Sequence, residues 1–267
     1  MRDAPISSPR SLKYEYELYV EREIEDYKDS ISRSALLKIG DEAVQSLFGA
    51  AQIGLTELLV WQEVDRIIAR RLRLPAYSTW RRRRLKLIAE YQQPEHWGID
   101  PDAALVWALP HSGNQQVLVA GAAQEGLALY LAARGAAVTA LEAAEEAVQR
   151  VVRAAEAAGL SERVRGYCAN LSGWMPDATY NAIVCSPSIF AGLDSSGRAS
   201  VIEALKSATA DGGIHLLEQE SQASDEAEED SAEFEELSSR YSGWTVSVEK
   251  RAGRKNTFLA RKTPAVA

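Results

Sequence analysis

A parallel α/β sheet preceded by an all-α segment is the fold class this sequence predicts, and three observations predict it. After Pro94, short β-branched or apolar runs alternate with alanine-rich helical stretches, the grammar of βαβ units. Before Pro94 no stretch alternates with period two, and apolar residues recur at steps of three and four. At 267 residues the chain makes one large domain or two modest ones, with length enough to bury a real core.

The elements follow in chain order. Residues 13–31 carry Val20, Ile24, Tyr27 and Ile31, with Glu21, Glu23, Glu25 and Asp26 between them, which predicts one amphipathic helix. Residues 32–54 predict a shorter helix or two, broken at Gly40 and Gly54. Thr56 is a candidate N-cap for a helix through Arg73 whose apolar stripe is Leu58, Trp61, Val64 (or Leu59), Ile68 and Leu72; Pro75 ends it. A further helix is expected over about 79–91.

Beyond Pro94 the strand candidates are 116–120, 137–141, 164–168, 181–186, 212–218, 244–248 and 256–260. Helices are expected near 125–134, 144–158 and 196–209. The last two strands, separated by the turn-like stretch 251–254, are close enough to form a hairpin edge. The expected organisation is a helical domain over 1–95 and a seven-stranded, mostly parallel sheet domain over 96–267. An acidic loop spans 221–236, with eight acids between Asp225 and Glu236.

Composition narrows the function classes. Apolar and charged fractions of 46% and 25% exclude a wholly disordered or fibrous chain. No apolar run reaches the roughly 18 residues that span a bilayer, and the first residues hold no apolar core of a signal peptide. The chain is therefore expected to be soluble and cytoplasmic. Two cysteines and three scattered histidines make neither a disulfide framework nor a convincing metal site. Cys168 and Cys185 fall on expected buried strands, where cysteine behaves as a small hydrophobe. His111, just before the first strand, is the best placed histidine for a base, with a capping or surface role as the alternative.

The segment VLVAGAAQEGLALYLAARGAAVTALE, from Val117 to Glu142, resembles the first βαβ unit of class I S-adenosylmethionine-dependent methyltransferases, especially the small-substrate branch of the tellurite-resistance type. His96 to Pro110 is similar to that family's lead-in, and the likeness extends over about 96–262. The resemblance implies a Rossmann-like sheet with S-adenosylmethionine in the crevice at the carboxyl ends of its strands. It also implies roles. Gly121 and Ala123 occupy the glycine-rich loop, where the backbone approaches the ligand. Glu142 would accept the ribose hydroxyls, and Asn170 with the adjacent Leu171 stands where the adenine is contacted. Ser186, ending the fourth strand, lies where the methyl donor and substrate meet. No dedicated base is implied, because such transfers rest on positioning and on the sulfonium's own reactivity.

Departures from the family pattern qualify that expectation. Where the family has acidic-x-Gly-x-Gly-x-Gly, this chain has Val119, Gly121, Ala123 and Glu125 at the four marked positions. Gly126 offers a glycine one residue late. Asn170 and Asn181 stand where aspartates are commoner, and asparagine is not a pure acceptor. The pattern fits a relaxed or repurposed cofactor site, so the alternative to a methyltransferase is a catalytically inactive binding scaffold.

The net charge of −8 argues against general nucleic-acid affinity but hides an uneven distribution. Residues 66–86 hold nine Arg or Lys and no acid, with Tyr77 and Trp80 interleaved. Arg81, Arg82, Arg83 and Arg84 turn through about 300° on a helix, so they cannot share one face. Internal pairing with acids is the first expectation, a protein partner the second and nucleic acid the third. A small-molecule substrate, or a homodimer through the tyrosines of the first helix, is compatible with the rest.

Overall fold

The computed structural model describes residues 11–48, 57–109, 113–121, 125–176, 178–219, 235–249 and 256–264. Thr56, Gly54, His111, Ala123, most of the acidic loop and the turn at 251–254 lie outside the described residues. The chain divides into two compact units, Met1–Leu87 and Ile88–Ala267.

The first unit is helical: α1 (Leu12–Ser30), α2 (Arg33–Phe48), α3 (Glu57–Arg71) and most of α4 (Tyr77–Tyr91). Ser11 caps α1, its hydroxyl accepting from the Tyr14 N–H at 3.2 Å. Ile24 of α1, Ile39 and Ala43 of α2, and Val64, Ile67 and Ile68 of α3 form the buried core, with Val20, Tyr27 and Ile31 packed against it. Gly40 does not break α2, because Ile39 and Ala43 hold both sides of it in that core. The α3 stripe also differs from expectation. Leu58 and Trp61 are exposed, and the inward face runs through Glu63, Val64, Ile67 and Ile68. Arg66, one turn on, bonds the buried Glu63 carboxylate at 2.6 Å.

The second unit carries seven strands: β1 (Gln116–Ala120), β2 (Ala137–Glu142), β3 (Val164–Cys168), β4 (Tyr180–Cys185), β5 (Thr209–Gln219), β6 (Trp244–Glu249) and β7 (Asn256–Lys262). Their order is β3-β2-β1-β4-β5-β7-β6, parallel through β5, with β7 alone reversed and antiparallel to both its neighbours, β5 and β6. Helices α5 (Ala104–Ala108), α6 (Gly126–Ala133), α7 (Glu145–Ala158) and α8 (Ser195–Ser207) complete the layers. One core joins Leu105, Tyr130, Leu131 and Val151 to one face of the sheet; the other joins Ile202, Leu205 and Tyr241 to the opposite face. Both faces of the central strands are covered, which is why residues 117–120 of β1 are an unbroken apolar run.

Residues 88–95, placed by sequence with the helical part, belong to this second unit. Tyr91 supplies the reason: its ring packs on His96 and Trp97, and its carbonyl accepts the Trp97 indole N–H at 2.8 Å.

Candidate functional site

Strands β1 and β4 are neighbours whose onward connections run to opposite sides of the sheet. Ligands of open α/β sheets bind outside the carboxyl ends of the strands at such a switch point. Gly121 follows β1 and Ser186 follows β4, so the sheet brings these two positions side by side. The Gly121 N–H donates to the Leu141 carbonyl and the Ser186 N–H to the Ala120 carbonyl, both at 3.0 Å.

Gly121 has φ +69°, a conformation that favours glycine. A Cβ there would lie 2.5 Å from Ile189 Cγ2 and 3.2 Å from Ser188 Oγ. Thus the space beside Gly121 is filled by the 3-10 turn Pro187–Phe190 that follows β4. Ser186 fixes that turn: its hydroxyl accepts from the Ser188 N–H at 3.3 Å and from the Ser188 hydroxyl at 2.9 Å.

On the other side, Glu142 ends β2 in register with Cys168 of β3. Its side chain is half-buried, and its carbonyl accepts from the Ala169 N–H at 2.9 Å. Asn170 is exposed one residue further on. Leu171 is buried among Leu141, Ile183 and Cys185, so it floors the crevice from the core side rather than lining it. Cys168 is exposed, contrary to its expected burial, because β3 is the edge strand. Cys185 is buried in the centre of the sheet, and burial pushes its thiol up to about 12, which makes it no nucleophile at neutral pH.

The structure accounts for most departures from the family pattern. Val119 is fully buried in the core. Asn181 sits at the amino end of β4, away from the crevice, where its side-chain carbonyl accepts the Gln116 N–H at 2.9 Å. It therefore is not a lost ligand contact. Glu125 precedes α6 and pairs with Arg150 of α7 at 3.6 Å. Its charge is drawn toward the helix layer. A Cβ on Gly126 would fall on the Trp97 carbonyl oxygen, so this glycine permits close packing at the start of α6.

Sequence reasoning missed one buried polar cluster. In β5, His215 is fully buried between Thr209 and Tyr241. The Thr209 hydroxyl donates to the Leu205 carbonyl at 2.8 Å, so its oxygen accepts from Nε2–H, and Nδ1 accepts from the Tyr241 hydroxyl at 2.8 Å. Burial lowers the imidazole to about 3. No signal in sequence could have paired residues so far apart. The ring also packs against Trp244, and the cluster is structural.

Among the described residues, clefts also form elsewhere in the second unit. One of about 590 Å³ is lined by Tyr91, His96, Trp97 and Ala157 among others, and one of about 670 Å³ by Trp174, Met175 and Ser207. Among the described residues no group of three His, Cys, Asp or Glu side chains is placed to hold a metal, and no helix is long and apolar enough to cross a membrane.

In the basic segment, several arginines pair internally. Arg84 pairs with Glu15 at 3.2 Å, Arg66 with Glu63, and Arg71 with Glu42. Tyr16, Tyr19, Tyr77 and Trp80 pack ring on ring within the unit, and the Tyr16 hydroxyl donates to the Pro75 carbonyl at 3.0 Å.

No family model and no curated protein matches the chain. Solved structures do. TehB from Haemophilus influenzae matches at 20% identity over 60% of this chain and 61% of its own, under two thirds of its length, with TM-score 0.48. Magnesium protoporphyrin IX methyltransferase (ChlM) from Synechocystis PCC 6803, with bound SAM, matches at 16% identity over 60% of this chain and 76% of its own, TM-score 0.45. A candidate S-adenosyl-L-methionine-dependent methyltransferase from Methanococcus maripaludis matches at 13% identity over 68% of this chain and 89% of its own, TM-score 0.50. With the strand order and the antiparallel β7, that last likeness shows that the sheet-bearing unit has the class I methyltransferase fold.

Proposed function

We propose that the sheet-bearing unit binds S-adenosylmethionine at the carboxyl ends of β1, β2 and β3 and transfers its methyl group to a nucleophilic substrate. The observation that carries this reading is the position of Glu142, which ends β2 beside the switch point, half-buried and in register with the exposed end of β3. A carboxylate there accepts two vicinal hydroxyls. Asn170 offers its amide to an adenine edge, and Leu171 stiffens the turn beneath it. The main chain at Gly121 faces the amino-acid tail, and Ser186 stands on the acceptor side. When bound, the cofactor supplies an electrophilic methyl on a sulfonium. The Methanococcus maripaludis neighbour, described as S-adenosyl-L-methionine-dependent, supports the choice of ligand class.

One observation favours a second reading, in which the fold serves as a binding scaffold without transfer. The turn after β4 fills the space beside Gly121, which narrows the side of the crevice where the donor methyl and its acceptor would meet.

Isothermal titration with S-adenosylmethionine and, in parallel, S-adenosylhomocysteine tests the binding that the first reading requires. The expected result is micromolar binding of both. Absence of heat and of thermal stabilisation at millimolar ligand would leave the scaffold reading in its place.

A further inference from the structure

One exposed face of α4 combines charge and an apolar centre. Arg81, Arg82 and Arg83 are all exposed, and among the described residues none of them makes an ion pair. Their neighbour Arg84 shows the contrast, being turned inward onto Glu15. Leu85 is 43% exposed. It lies three and four residues beyond Arg82 and Arg81, so the three share one face, and the exposed Lys86 continues that face from Arg82. Behind them Trp80 and Tyr77 stack on Tyr16 and Tyr19, which fixes the helix against the unit.

We propose that this face of α4 docks an acidic segment of a partner protein. Three observations choose that partner over a nucleic acid. The rings interleaved with the arginines are packed on one another, so they offer no platform for bases. A leucine exposed among cations suits a protein surface, where an apolar anchor ringed by charge is the common arrangement, better than a phosphate backbone. The chain as a whole carries −8, which repels a long polyanion. A short acidic segment meets only the local positive face, within a screening length of about 8 Å.

The test uses the full-length protein and a fluorescent, glutamate-rich peptide with leucine at every fourth position. Double-stranded DNA and phosphatidylserine vesicles serve as rival probes. The peptide is expected to bind, more weakly as salt rises. R81E/R82E should lower its affinity at least about tenfold, and L85A, which removes no charge, about threefold. R33E, a charge reversal on α2 of the same unit, should leave it unchanged. The proposal is overturned by absence of peptide binding, by equal affinity in R81E/R82E or L85A, or by tighter binding to DNA or vesicles than to peptide.

Discussion

The two sides of the crevice differ in what occupies them. At β1 and β4 the chain fills its own space: Ile189 and Ser188 lie against Gly121, and two serine hydroxyls hold the turn. At β2 and β3 the strand ends are left accessible, with Glu142 half-buried and Cys168 and Asn170 exposed. The contrast teaches that a glycine at a ligand-loop position is not evidence of a ligand. Gly121 is required by its φ and by its neighbour's methyl.

Replacement of Gly121 tests the filled side most severely. Gly121→Ala combines a left-handed backbone with a clash, for an expected loss of about 2–4 kcal/mol in denaturant unfolding. Adding Ile189→Ala should restore part of it. Additive losses instead would detach Ile189 from the role given to it.

Acid probes the core next to that side. Folded His215 stays neutral down to about pH 3, whereas in the unfolded chain it titrates near 6.5. Above that pH both states are neutral and nothing is lost. As pH falls through 6.5 toward 3 only the unfolded chain gains the proton, so stability declines by about 1.4 kcal/mol per pH unit from this group. Melting curves for wild type and His215→Gln should converge as pH falls; parallel curves would remove the assignment.

The open side has its own variant. Glu142→Ala should weaken S-adenosylhomocysteine binding by about 1–3 kcal/mol with little change in melting temperature. Unchanged affinity would move the ribose elsewhere. The smallest effect is expected at Asn181→Ala, which orphans the Gln116 N–H and should cost about 1 kcal/mol of stability while leaving ligand affinity alone. A change in ligand affinity there would contradict its placement at the far end of β4.

How far the sequence anticipated this can be seen residue by residue. The alternation of short apolar runs with alanine-rich helices located every strand of the sheet, and the resemblance to the methyltransferase family is what singled out Glu142 at the end of β2. Cys168 was misplaced because local pattern does not reveal which strand lies at the edge. Leu58 and Trp61 were put on the wrong face because steps of three and four admit two stripes on α3, and only packing against α2 chooses. Asn181 was counted as a missing acid because its partner, the Gln116 N–H, is a contact 65 residues away. Glu125 and Gly126 escaped for the same reason, their neighbours Arg150 and Trp97 being fixed by the fold.

The insertion of β7 between β5 and β6 bears on how the chain is made. During synthesis β5 and β6 both emerge before the strand that joins them. Until Asn256–Lys262 leaves the ribosome, β5 presents a bare row of hydrogen-bonding groups, and β6 has no neighbour. The nascent sheet is therefore sticky at a place that the finished protein never exposes. Completion depends on one late strand zipping into two partners at once.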